Sequence, residues 1–307
     1  MEITRAERLD PDQVAEVLAL ARAARDADGT FPFAEQVVLH LRHGGDPPAV
    51  HLLARDRDRR LAGYAHVDTT DREAGATAEM VVHPQERRQG LGRRLAETAV
   101  AVASERDPAG RLRLWAHGDH PASAALARSL GFTRSRVLYQ LRRSLHDPVP
   151  APVLPDGVGL RPFRPGTDEE AWLALNARAF AGHPEQGRWT ARDLRTRMAG
   201  SWFDPDGFLL AERDGHLLGF HWTKIHSGEG RHQPIGEVYV LGVDPAAHGL
   251  GLGTALTLAG LRHLRGQGLG QAMLYVDESN RAAVALYTKL GFARWSVDVA
   301  FTRTPTG

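Results

Sequence analysis

Glu237 to Gly253 read EVYVLGVDPAAHGLGLG, an apolar run that leads into a glycine-rich turn. The β-branched and aromatic residues of the run predict a strand, and the apolar residues after the turn predict a helix. The turn is therefore expected to end at a helix N-terminus, where unpaired amides and the helix dipole attract anions. Because glycine has no side chain, a ligand can approach the backbone closely there. This arrangement predicts a binding site for a phosphate or a pyrophosphate.

Two nucleotide-binding motifs do not fit the glycines of the chain. A dinucleotide-binding GxGxxG motif that begins at Gly251 needs a glycine at 256, where the chain has Leu256. The same motif begun at Gly90, in a second glycine-rich turn, meets Leu95 instead. The GxxxxGK loop needs a lysine directly after a glycine, and neither lysine of the chain follows one. Both nucleotide-binding folds are therefore disfavoured.

The chain contains the same pattern twice. The strand end and glycine-rich turn at residues 80–92 recur at 241–253, and the Leu-Gly-Phe sequence at 130–132 recurs at 290–292. A pattern repeated over this length indicates a tandem duplication. Prolines recur through residues 146–157, which is typical of an extended linker. The predicted divisions are an N-terminal domain over 1–145, a linker over 146–157 and a C-terminal domain over 158–307.

The composition is that of a globular protein. Hydrophobic residues make up 42% and charged residues 24% of the 307 residues, which is enough apolar material for two cores. The 38 basic and 37 acidic residues nearly cancel, so nucleic-acid and membrane-surface partners are not expected. The absence of cysteine excludes disulfides and thiolate metal sites. No run approaches the roughly 20 apolar residues of a membrane helix, and we expect a cytoplasmic protein.

Each copy shows the same order of predicted elements. A helical first third is followed by two strands, a third strand that enters the turn, a helix, a fourth strand, a short alanine-rich helix and a last strand. That order gives a mixed α/β sheet in each half. The first copy has predicted helices at 12–26, 95–104 and 121–130 and strands at 50–54, 62–68, 76–82 and 112–116. The second copy has predicted helices at 168–180, 255–265 and 281–290 and strands at 208–213, 217–226, 235–243 and 272–276.

Two separated motifs resemble the GCN5-related N-acetyltransferases (GNAT). Residues 87–92 match the family's R/Q-x-x-G-x-G/A turn, which follows a hydrophobic strand, and residues 248–253 match it except that His248 replaces the first residue. Residues 280–292 are similar to the family's N-x-x-A-x-x-L-Y-x-x-x-G-F helix. The resemblance implies two tandem GNAT-like α/β domains, each a mixed, mainly antiparallel sheet flanked by helices. At His248 the side chain departs from the family, so the glycines are expected to form the turn there.

The resemblance also implies acetyl-CoA as co-substrate, with its pyrophosphate in the glycine-rich turn. The strand end before the turn is expected to offer backbone groups to the pantetheine arm and the thioester carbonyl. Gly242 is expected to mark the splay of the strands, because glycine tolerates a bulge. In the first copy the implied acetyl-CoA-binding residues are Met80, Val81, Val82, Arg88, Gln89, Gly90, Leu91, Gly92 and Arg93. In the second copy they are Leu241, Gly242, Val243, His248, Gly249, Leu250, Gly251, Leu252, Gly253, Thr254, Asn280, Arg281, Ala282, Ala283, Val284 and Ala285.

Acetyl transfer to an amine needs one group that takes the amine proton and another that protonates the leaving thiolate. Glu237 is the candidate base. Tyr287 is the candidate acid, since a phenol ordinarily has a pKa of about 10. The aligned positions of the first copy are Ala76 and Ala127. We therefore predict that the second copy is catalytic, while the first copy binds acetyl-CoA unproductively or only supports the fold.

Three further segments, at 176–187, 219–224 and 236–245, resemble the mycothiol synthases, a family of tandem GNAT enzymes. The resemblance implies that the acceptor is the cysteinyl amine of cysteinyl-glucosaminyl-inositol, an aminothiol glycoconjugate, and that the product is mycothiol. Such an acceptor carries an ammonium group and many hydroxyls, so carboxylates and hydrogen-bonding groups are expected around it. The candidate acceptor-binding residues are Glu35, Glu185, Lys224, Glu237 and Tyr275.

Two other functions fit the acetyl-CoA motifs. One is a tandem acetyltransferase for another amine, such as an aminoglycoside, a polyamine or a protein N-terminus. The other is a non-catalytic module that senses acyl-CoA, against which Glu237 and Tyr287 argue in the second copy. The histidines show no HExxH or other metal-ligand spacing, so no metal site is expected. We expect the protein to be a monomer.

Overall fold

The structure is a computed structural model, and it describes residues 2–44, 49–71, 75–107, 109–182, 186–228 and 233–303. The chain divides into two compact units. Unit 1 comprises Met1–Leu138 and Ser296–Gly307, and unit 2 comprises Tyr139–Trp295.

Unit 1 is a mixed sheet flanked by helices. Its strands run in the order β1-β2-β3-β4-β5-β12, with β4 and β5 parallel and the other pairs antiparallel. Its strands are β1 (Glu2–Ala6), β2 (Ala49–Arg55), β3 (Leu61–Asp68), β4 (Ala76–Val82) and β5 (Leu112–Ala116), with parts of β6 (Thr133–Ser144) and β12 (Ala293–Arg303). Its helices are α1 (Pro11–Asp28), α2 (Glu35–His43), α3 (Leu91–Arg106) and α4 (Pro121–Ser129).

Strand β4 shows how the sheet of unit 1 separates two cores. Ala76 and Ala78 pack with Leu91 and Leu95 of α3. Val81 belongs to the other core, with residues of α1 and α2. Successive side chains of a strand point to opposite faces, so regular alternation along β4 supplies both cores. The predicted mixed, mainly antiparallel sheet is confirmed in this unit.

Unit 2 repeats this arrangement with a different set of helices. Its strands run in the order β6-β11-β10-β9-β8-β7, with β10 and β11 parallel and the pairs from β7 to β10 antiparallel. Besides parts of β6 and β12, its strands are β7 (Gly159–Pro162), β8 (Phe208–Arg213), β9 (His216–His226), β10 (Ile235–Val243) and β11 (Gln271–Asp277). Its helices are α5 (Glu169–Ala179), α6 (Ala191–Met198), α7 (Leu252–Gly266) and α8 (Arg281–Lys289).

An aromatic core covers one face of the unit 2 sheet. Trp172 of α5 and Leu194 of α6 pack there against Phe208, Phe220 and Trp222 of the strands, and all five are fully buried. Helices α7 and α8 cover the other face with an aliphatic core that includes Val238 of β10. Burying a large apolar side chain stabilises a fold by about 1.5–3 kcal/mol. The two cores therefore fix which face each residue of β10 occupies.

Local sequence sets where several helices begin. Asp10 precedes α1, and its side chain accepts a hydrogen bond from the Gln13 amide at 2.8 Å while Gln13 Oε1 accepts one from the Asp10 amide at 3.1 Å. Thr190 and Asp193 form the same reciprocal pair at the start of α6. Such caps satisfy amides that the helix leaves unpaired and contribute about 0.5–2 kcal/mol each.

The compact units do not follow the boundaries of the sequence repeat. We expected domains over 1–145 and 158–307, whereas unit 1 includes Ser296–Gly307 and unit 2 begins at Tyr139. The reason is strand pairing: β12, the last strand of the second repeat, pairs with β5 of the first repeat from Val299–Ala116 to Arg303–Leu112. The second half of β6 lies in unit 2, where Gln140 donates a hydrogen bond to the Tyr275 hydroxyl at 2.7 Å. Each unit is thus completed by residues of the other repeat.

The segment expected to be a linker, 146–157, has no helix or strand but packs against unit 2. Val149 is buried in the aliphatic core of that unit. Arg262 of α7 donates a hydrogen bond to the Val149 carbonyl at 3.0 Å. Apolar burial and this hydrogen bond anchor the proline-rich segment.

Three histidines come together on one face of unit 1. His51 of β2 and His66 of β3 are buried directly opposite one another, with ring centroids 5.4 Å apart. His40 of α2 lies the same distance from His66. Burial, with a smaller contribution from the nearby His40, lowers the pKa of His51 to about 4 and that of His66 to about 3. Both buried rings are therefore neutral in the folded chain at pH 7.

We expect unit 1 to be sensitive to acid. The unfolded chain binds protons at histidine near pH 6.5, whereas folded His51 and His66 bind them only near pH 4 and 3. The unfolded state therefore takes up more protons as the pH falls below about 6.5, and stability declines over that range. Calorimetry between pH 7 and 5 should show a falling Tm. In His66→Asn the slope should be shallower, while His216→Asn, at an exposed strand end, should keep the wild-type slope; equal slopes in all three proteins would contradict this account.

Candidate active site

A bulge in β10 organises one face of the unit 2 sheet. Against β9, Val238 pairs with Thr223 and Val240 pairs with Trp222, so Tyr239 is an extra residue. Tyr239 and Val240 both pack in the aromatic core, whereas Val238 packs in the aliphatic core. Two neighbouring residues on one face are the usual result of a β-bulge. The bulge therefore turns the Tyr239 ring toward the face of the sheet that α5 and α6 cover.

Glu237 lies two residues before the bulge and is buried. It is directly opposite Lys224 on β9 and pairs with Met273 on β11. Its Oε2 accepts a hydrogen bond from His226 Nε2 at 2.6 Å, with the ring proton assigned by the carboxylate partner. Among the described residues, His226 is the one side-chain partner of this carboxylate, which keeps lone pairs for a further proton, as a general base needs.

Lys224 is held in an aromatic box rather than against Glu237. Its Nζ lies 4.6 Å from the ring centroid of Trp202 and 5.2 Å from that of Tyr239. Lys224 as a whole is almost fully buried. Cation–π contacts of a desolvated ammonium are worth up to about 2 kcal/mol. The box therefore holds a positive charge on the same face as Glu237.

Arg197 of α6 also holds Tyr239, the extra residue of the bulge, in place. Its Nε donates a hydrogen bond to the Tyr239 hydroxyl at 2.8 Å, and its guanidinium lies 3.8 Å from the ring centroid of Trp189. Sequence analysis missed both Arg197 and Tyr239 as site residues. A buried arginine in a short helix leaves no motif, and the only available signal was that Tyr239 follows Glu237 by two positions in the strand.

The parallel ladder between β10 and β11 in unit 2 is shorter than the ladder between β4 and β5 in unit 1. The ladder between β10 and β11 joins Gly236 to Ala272 and Glu237 to Met273. In unit 1 the ladder between β4 and β5 runs on from Ala76–Leu112 to Glu79–Trp115. Glu237 therefore occupies the last rung before its strands separate.

The register corrects one sequence alignment. We aligned Glu237 with Ala76, but the ladder rung of Glu237 is that of Thr77, which pairs with Arg113 of β5 and Asp68 of β3. The extra residue Tyr239 causes the difference, because β4 has no bulge against β3. Threonine is no more able than alanine to act as a base at pH 7. The inferred lack of a base at this position of the first repeat is therefore unchanged.

The expectation for Gly242 was also wrong in its detail. The bulge lies at Tyr239, three residues earlier. At Gly242 a Cβ atom would lie 2.6 Å from Phe220 Cε1 and 3.1 Å from Phe180 Cε2. Glycine is required there because two aromatic rings pack onto the strand.

The glycine-rich turns of the two units have the same geometry. Gly90 and Gly251 are the N-cap residues of α3 and α7, with φ of 82° and 80°, and neither helix has a side-chain cap hydrogen bond. His248 Nε2 lies 3.3 Å from the Val243 carbonyl oxygen, and Arg87 Nε donates to the Val82 carbonyl at 3.2 Å. The side chain before each turn thus bonds back to the strand end. This explains why histidine can replace arginine at position 248.

Tyr287 lies in α8, with its ring edge-on to Phe292 at 5.7 Å between centroids. Burial raises the pKa of its phenol to about 12. The hydroxyl is therefore protonated throughout the physiological range and can donate a proton. The aligned residue of α4 is Ala127, which is buried beside Phe132.

Comparison with known proteins identifies the fold and the family. The profile of the Acetyltransferase (GNAT) family matches residues 17–132 and 170–292, one match in each repeat. The chain belongs to this family. A tandem GNAT protein from the clavulanic acid biosynthesis pathway has a similar structure, with a TM-score of 0.77 at 23% identity over 100% of this chain and 99% of that one. The predicted fold of two GNAT repeats is confirmed.

Two relatives share most of their length with this GNAT chain. A protein of Salinispora arenicola named mycothiol acetyltransferase is 61% identical over 98% of this chain and 97% of its own. A protein of the same name from Acidothermus cellulolyticus is 55% identical over 97% of this chain and 94% of its own. The resemblance to the mycothiol enzymes that the sequence segments indicated is therefore confirmed across nearly the whole chain.

The residues implied for acetyl-CoA cluster at three places in unit 2 of this GNAT protein. Residues 241–243 end β10, residues 248–254 form the turn and the start of α7, and residues 280–285 begin α8. The Asn280 side chain accepts a hydrogen bond from the Ala283 amide at 3.1 Å, so it caps α8. The uncapped start of α7 offers its amides to an anion, and these residues fit a pyrophosphate group. In unit 1 the implied residues 80–82 and 88–93 lie at the matching strand end and turn.

The implied acceptor residues lie in different parts of the chain. Lys224 and Glu237 face each other on β9 and β10, and Tyr275 follows Met273, the ladder partner of Glu237, by two residues on β11. Tyr275 is 42% exposed, and its hydroxyl accepts a hydrogen bond from Gln140. Glu35 is the first residue of α2 in unit 1. Glu185 lies outside the described residues.

A buried charge cluster occupies the corresponding region of unit 1. His117, just after β5, lies between two carboxylates: its Nδ1 is 2.9 Å from Asp298 Oδ2 and its Nε2 is 3.3 Å from Glu79 Oε2. Burial alone lowers the pKa of His117, but Asp298 and Glu79 outweigh it and raise that pKa to about 10. Glu79 Oε2 also accepts from the Ala34 amide at 2.6 Å. In unit 2 the aligned residue is Asp277, which accepts hydrogen bonds from Ser279.

The described residues contain neither a membrane-spanning helix nor a metal-binding cluster of side chains. No helix there combines the length and the apolar character that crossing a bilayer requires. No three histidine, aspartate or glutamate side chains there are grouped so that they could hold a metal ion.

Substitution at Gly242 should test the packing around the site. Gly242→Ala places a methyl group within 2.6 Å of the Phe220 ring, and such overpacking costs about 1–3 kcal/mol of unfolding free energy. Gly266→Ala is the matched control, since a Cβ there has nothing within 4 Å. Urea denaturation should show a loss for Gly242→Ala and an unchanged or higher free energy for the control. A Gly242→Ala protein as stable as the control would rule out the close contact.

Proposed function

We propose that this chain transfers the acetyl group of acetyl-CoA to the cysteinyl amine of cysteinyl-glucosaminyl-inositol, which yields mycothiol. Its family and its near full-length similarity to proteins named mycothiol acetyltransferase support the proposal. The observation that carries the chemistry is the buried carboxylate of Glu237 at the last rung before β10 and β11 separate. The acceptor amine is proposed to reach this carboxylate where the two strands separate.

Glu237 is proposed to take the proton of the acceptor ammonium. Its Oε2 is occupied by His226, which leaves Oε1 to receive the proton. Lys224, directly across the ladder, is fixed by Trp202 and Tyr239 and does not neutralise the carboxylate through an ion pair of its own with Glu237. Because a general base must be ionised and within hydrogen-bonding reach, this arrangement suits proton removal from an amine.

The turn at 248–253 and the start of α8 are proposed to bind acetyl-CoA. The N-cap residue of α7, Gly251, makes no side-chain hydrogen bond to the first amides of the helix. These amides can therefore bind the pyrophosphate. When bound, acetyl-CoA supplies an activated thioester. Backbone groups of residues 241–243 are proposed to align the thioester and polarise its carbonyl, which gains negative charge during the transfer.

Tyr287 is proposed to protonate the departing thiolate. The high pKa that burial gives its phenol keeps the proton on the oxygen, so the hydroxyl is available as a hydrogen-bond donor. A thiol ordinarily has a pKa of about 8.5, which is below the pKa of about 12 of Tyr287, so full proton transfer from the phenol to the thiolate is uphill. Tyr287 is therefore proposed to act chiefly by donating a hydrogen bond as negative charge develops on sulfur.

The remaining acceptor residues are proposed to bind the rest of the glycoconjugate. Lys224 presents a positive charge beside the aromatic rings, and Tyr275 is a partly exposed residue on β11. Glu35 and Glu185 are proposed to bind hydroxyls or the ammonium group, on the resemblance alone. We also propose that the protein works as a cytoplasmic monomer, which sedimentation at working concentration can check.

Unit 1 is proposed to bind acetyl-CoA without turnover or to support the fold only. It keeps the turn geometry at Gly90, but Thr77 replaces the base and Ala127 replaces the acid. Its buried carboxylate, Glu79, is bonded to His117 and to the Ala34 amide. A carboxylate with both partners in place is poorly suited to take a substrate proton.

Removing the proposed base or acid should reduce turnover without preventing binding. Glu237→Gln should lower kcat by about 10²–10⁴-fold, the usual contribution of a general base, and Tyr287→Phe should lower it by about ten-fold or more. The assay is release of free thiol from acetyl-CoA with cysteinyl-glucosaminyl-inositol and a panel of other amines. Glu170→Gln, an exposed helix position, is the control. Wild-type rates in both site variants would remove the proposed acid and base, and a preference for another amine would replace the proposed acceptor.

The two glycine-rich turns should respond differently to the same substitution. Gly251→Arg places a bulky residue at positive φ in the catalytic turn and should abolish thiol release. Gly90→Arg is the matched change in unit 1 and should leave most of the activity. Calorimetric titration should then show one fewer acetyl-CoA site in any variant whose turn binds the co-substrate. Loss of activity in Gly90→Arg with intact folding would show that unit 1 takes part in catalysis.

A further inference from the structure

His226 links the buried carboxylate of Glu237 to solvent. It is the last residue of β9, and its Nε2 lies 2.6 Å from Glu237 Oε2. The Glu237 side chain is 9% exposed, whereas the His226 side chain is 36% exposed. The imidazole therefore has one nitrogen on the carboxylate and a ring surface in contact with water.

No other side chain of the described residues bonds to Glu237. Lys224 is its neighbour across the ladder, but the ammonium lies over the rings of Trp202 and Tyr239. A buried carboxylate without a partner is costly, so His226 is the group that makes its ionised form tolerable. The same contact fixes the orientation of the carboxylate, because Nε2 holds Oε2 and turns Oε1 away from the ring.

We propose that His226 is a positioning residue for Glu237 that also exchanges protons between the buried carboxylate and solvent. This inference rests on the proposed role of Glu237 as the base. His226 itself does not touch the acceptor. It acts through the carboxylate, in two ways that can be separated by experiment: it orients Oε1 and it keeps the buried pair neutral.

The proposed transfer moves one proton from the acceptor ammonium to solvent. The proposed step starts from a pair in which the carboxylate is ionised and the imidazole carries a proton on each nitrogen. An N–H bond of the acceptor ammonium breaks and an O–H bond forms at Glu237 Oε1, while the Nδ1–H bond of His226 breaks and its proton passes to water. The pair then holds a carboxylic acid and a neutral ring. Water-mediated return of that proton from Oε1 to Nδ1 restores the starting pair with no net change in its protons.

The benefit of this exchange is electrostatic. The pair has zero net charge both before and after it accepts the substrate proton. A base that changed its charge in a poorly solvated position would need the surroundings to reorganise at each turnover. Coupling proton uptake at one end to proton release at the other avoids that change and gives the substrate proton a route out of the site.

Three variants test the proposal in the full-length protein. His226→Ala removes both functions, and His226→Gln keeps a side-chain N–H donor for Oε2 but cannot exchange a proton. His216→Ala, at the exposed first residue of the same strand, is the control. We expect kcat to fall about ten-fold or more in His226→Ala and by an intermediate factor in His226→Gln, with the KM for acetyl-CoA unchanged. Added imidazole should raise the kcat of His226→Ala and leave that of His216→Ala unchanged.

The outcomes distinguish this inference from the proposed function. If the wild-type protein releases no thiol with any amine, or Glu237→Gln is fully active, the proposed function fails first. If both of those tests succeed but His226→Ala keeps a kcat within about two-fold of wild type, the role of His226 is wrong. If His226→Gln restores the full wild-type kcat and imidazole has no effect on His226→Ala, His226 orients the carboxylate and the proton-exchange step is overturned.

Discussion

One extra residue in β10 controls the geometry of the candidate active site. Tyr239 is an extra residue in the ladder with β9, so it shares a face with the following Val240, while Val238 lies on the opposite face. The hydrogen bond from Arg197 and the ring contact with Lys224 hold the extra residue in place. Without the bulge, the alternation of β10 beyond it would be reversed. Gly242 would then no longer face Phe220, and the side chains of residues 241–243 would point to the opposite faces of the sheet.

The two units show what the bulge changes. Strand β4 has regular alternation and a longer parallel ladder, and its buried carboxylate Glu79 is bonded within the unit. Strand β10 has the bulge and a shorter ladder, and its buried carboxylate Glu237 reaches solvent through His226. The same ancestral strand thus supports two different uses of a glutamate. In one it stabilises a fixed charge cluster, and in the other it is available for chemistry.

Sequence patterns predicted the elements with strong local signals. Strands β4, β5, β8 and β10 have the predicted bounds, because each is a short run rich in apolar residues with glycine or proline close to its ends. Helices α3 and α7 begin earlier than predicted, at Leu91 and Leu252, because the glycine-rich turn itself provides their first turn. Helix α6 was not predicted, since only Leu194 of its core-facing positions is a large buried hydrophobic residue and Arg197 takes another.

Other features depend on partners that a single sequence does not reveal. The bulge shifted the alignment of Glu237 by one residue, and no repeated landmark precedes it in the strand to expose the shift. The pairing of β12 with β5 was hidden because no sequence pattern marks which sheet the last strand of a repeat joins. His226 belongs to no motif, and only its distance to Glu237 reveals it.

The crossing of β12 into the sheet of unit 1 makes the duplication difficult to reverse. A gene truncated to the second repeat encodes β11 without β6 beside it, and a gene truncated to the first encodes β5 without β12. Either product has an unpaired strand edge, which promotes aggregation. The exchange of strands therefore makes each sheet depend on both repeats of the chain.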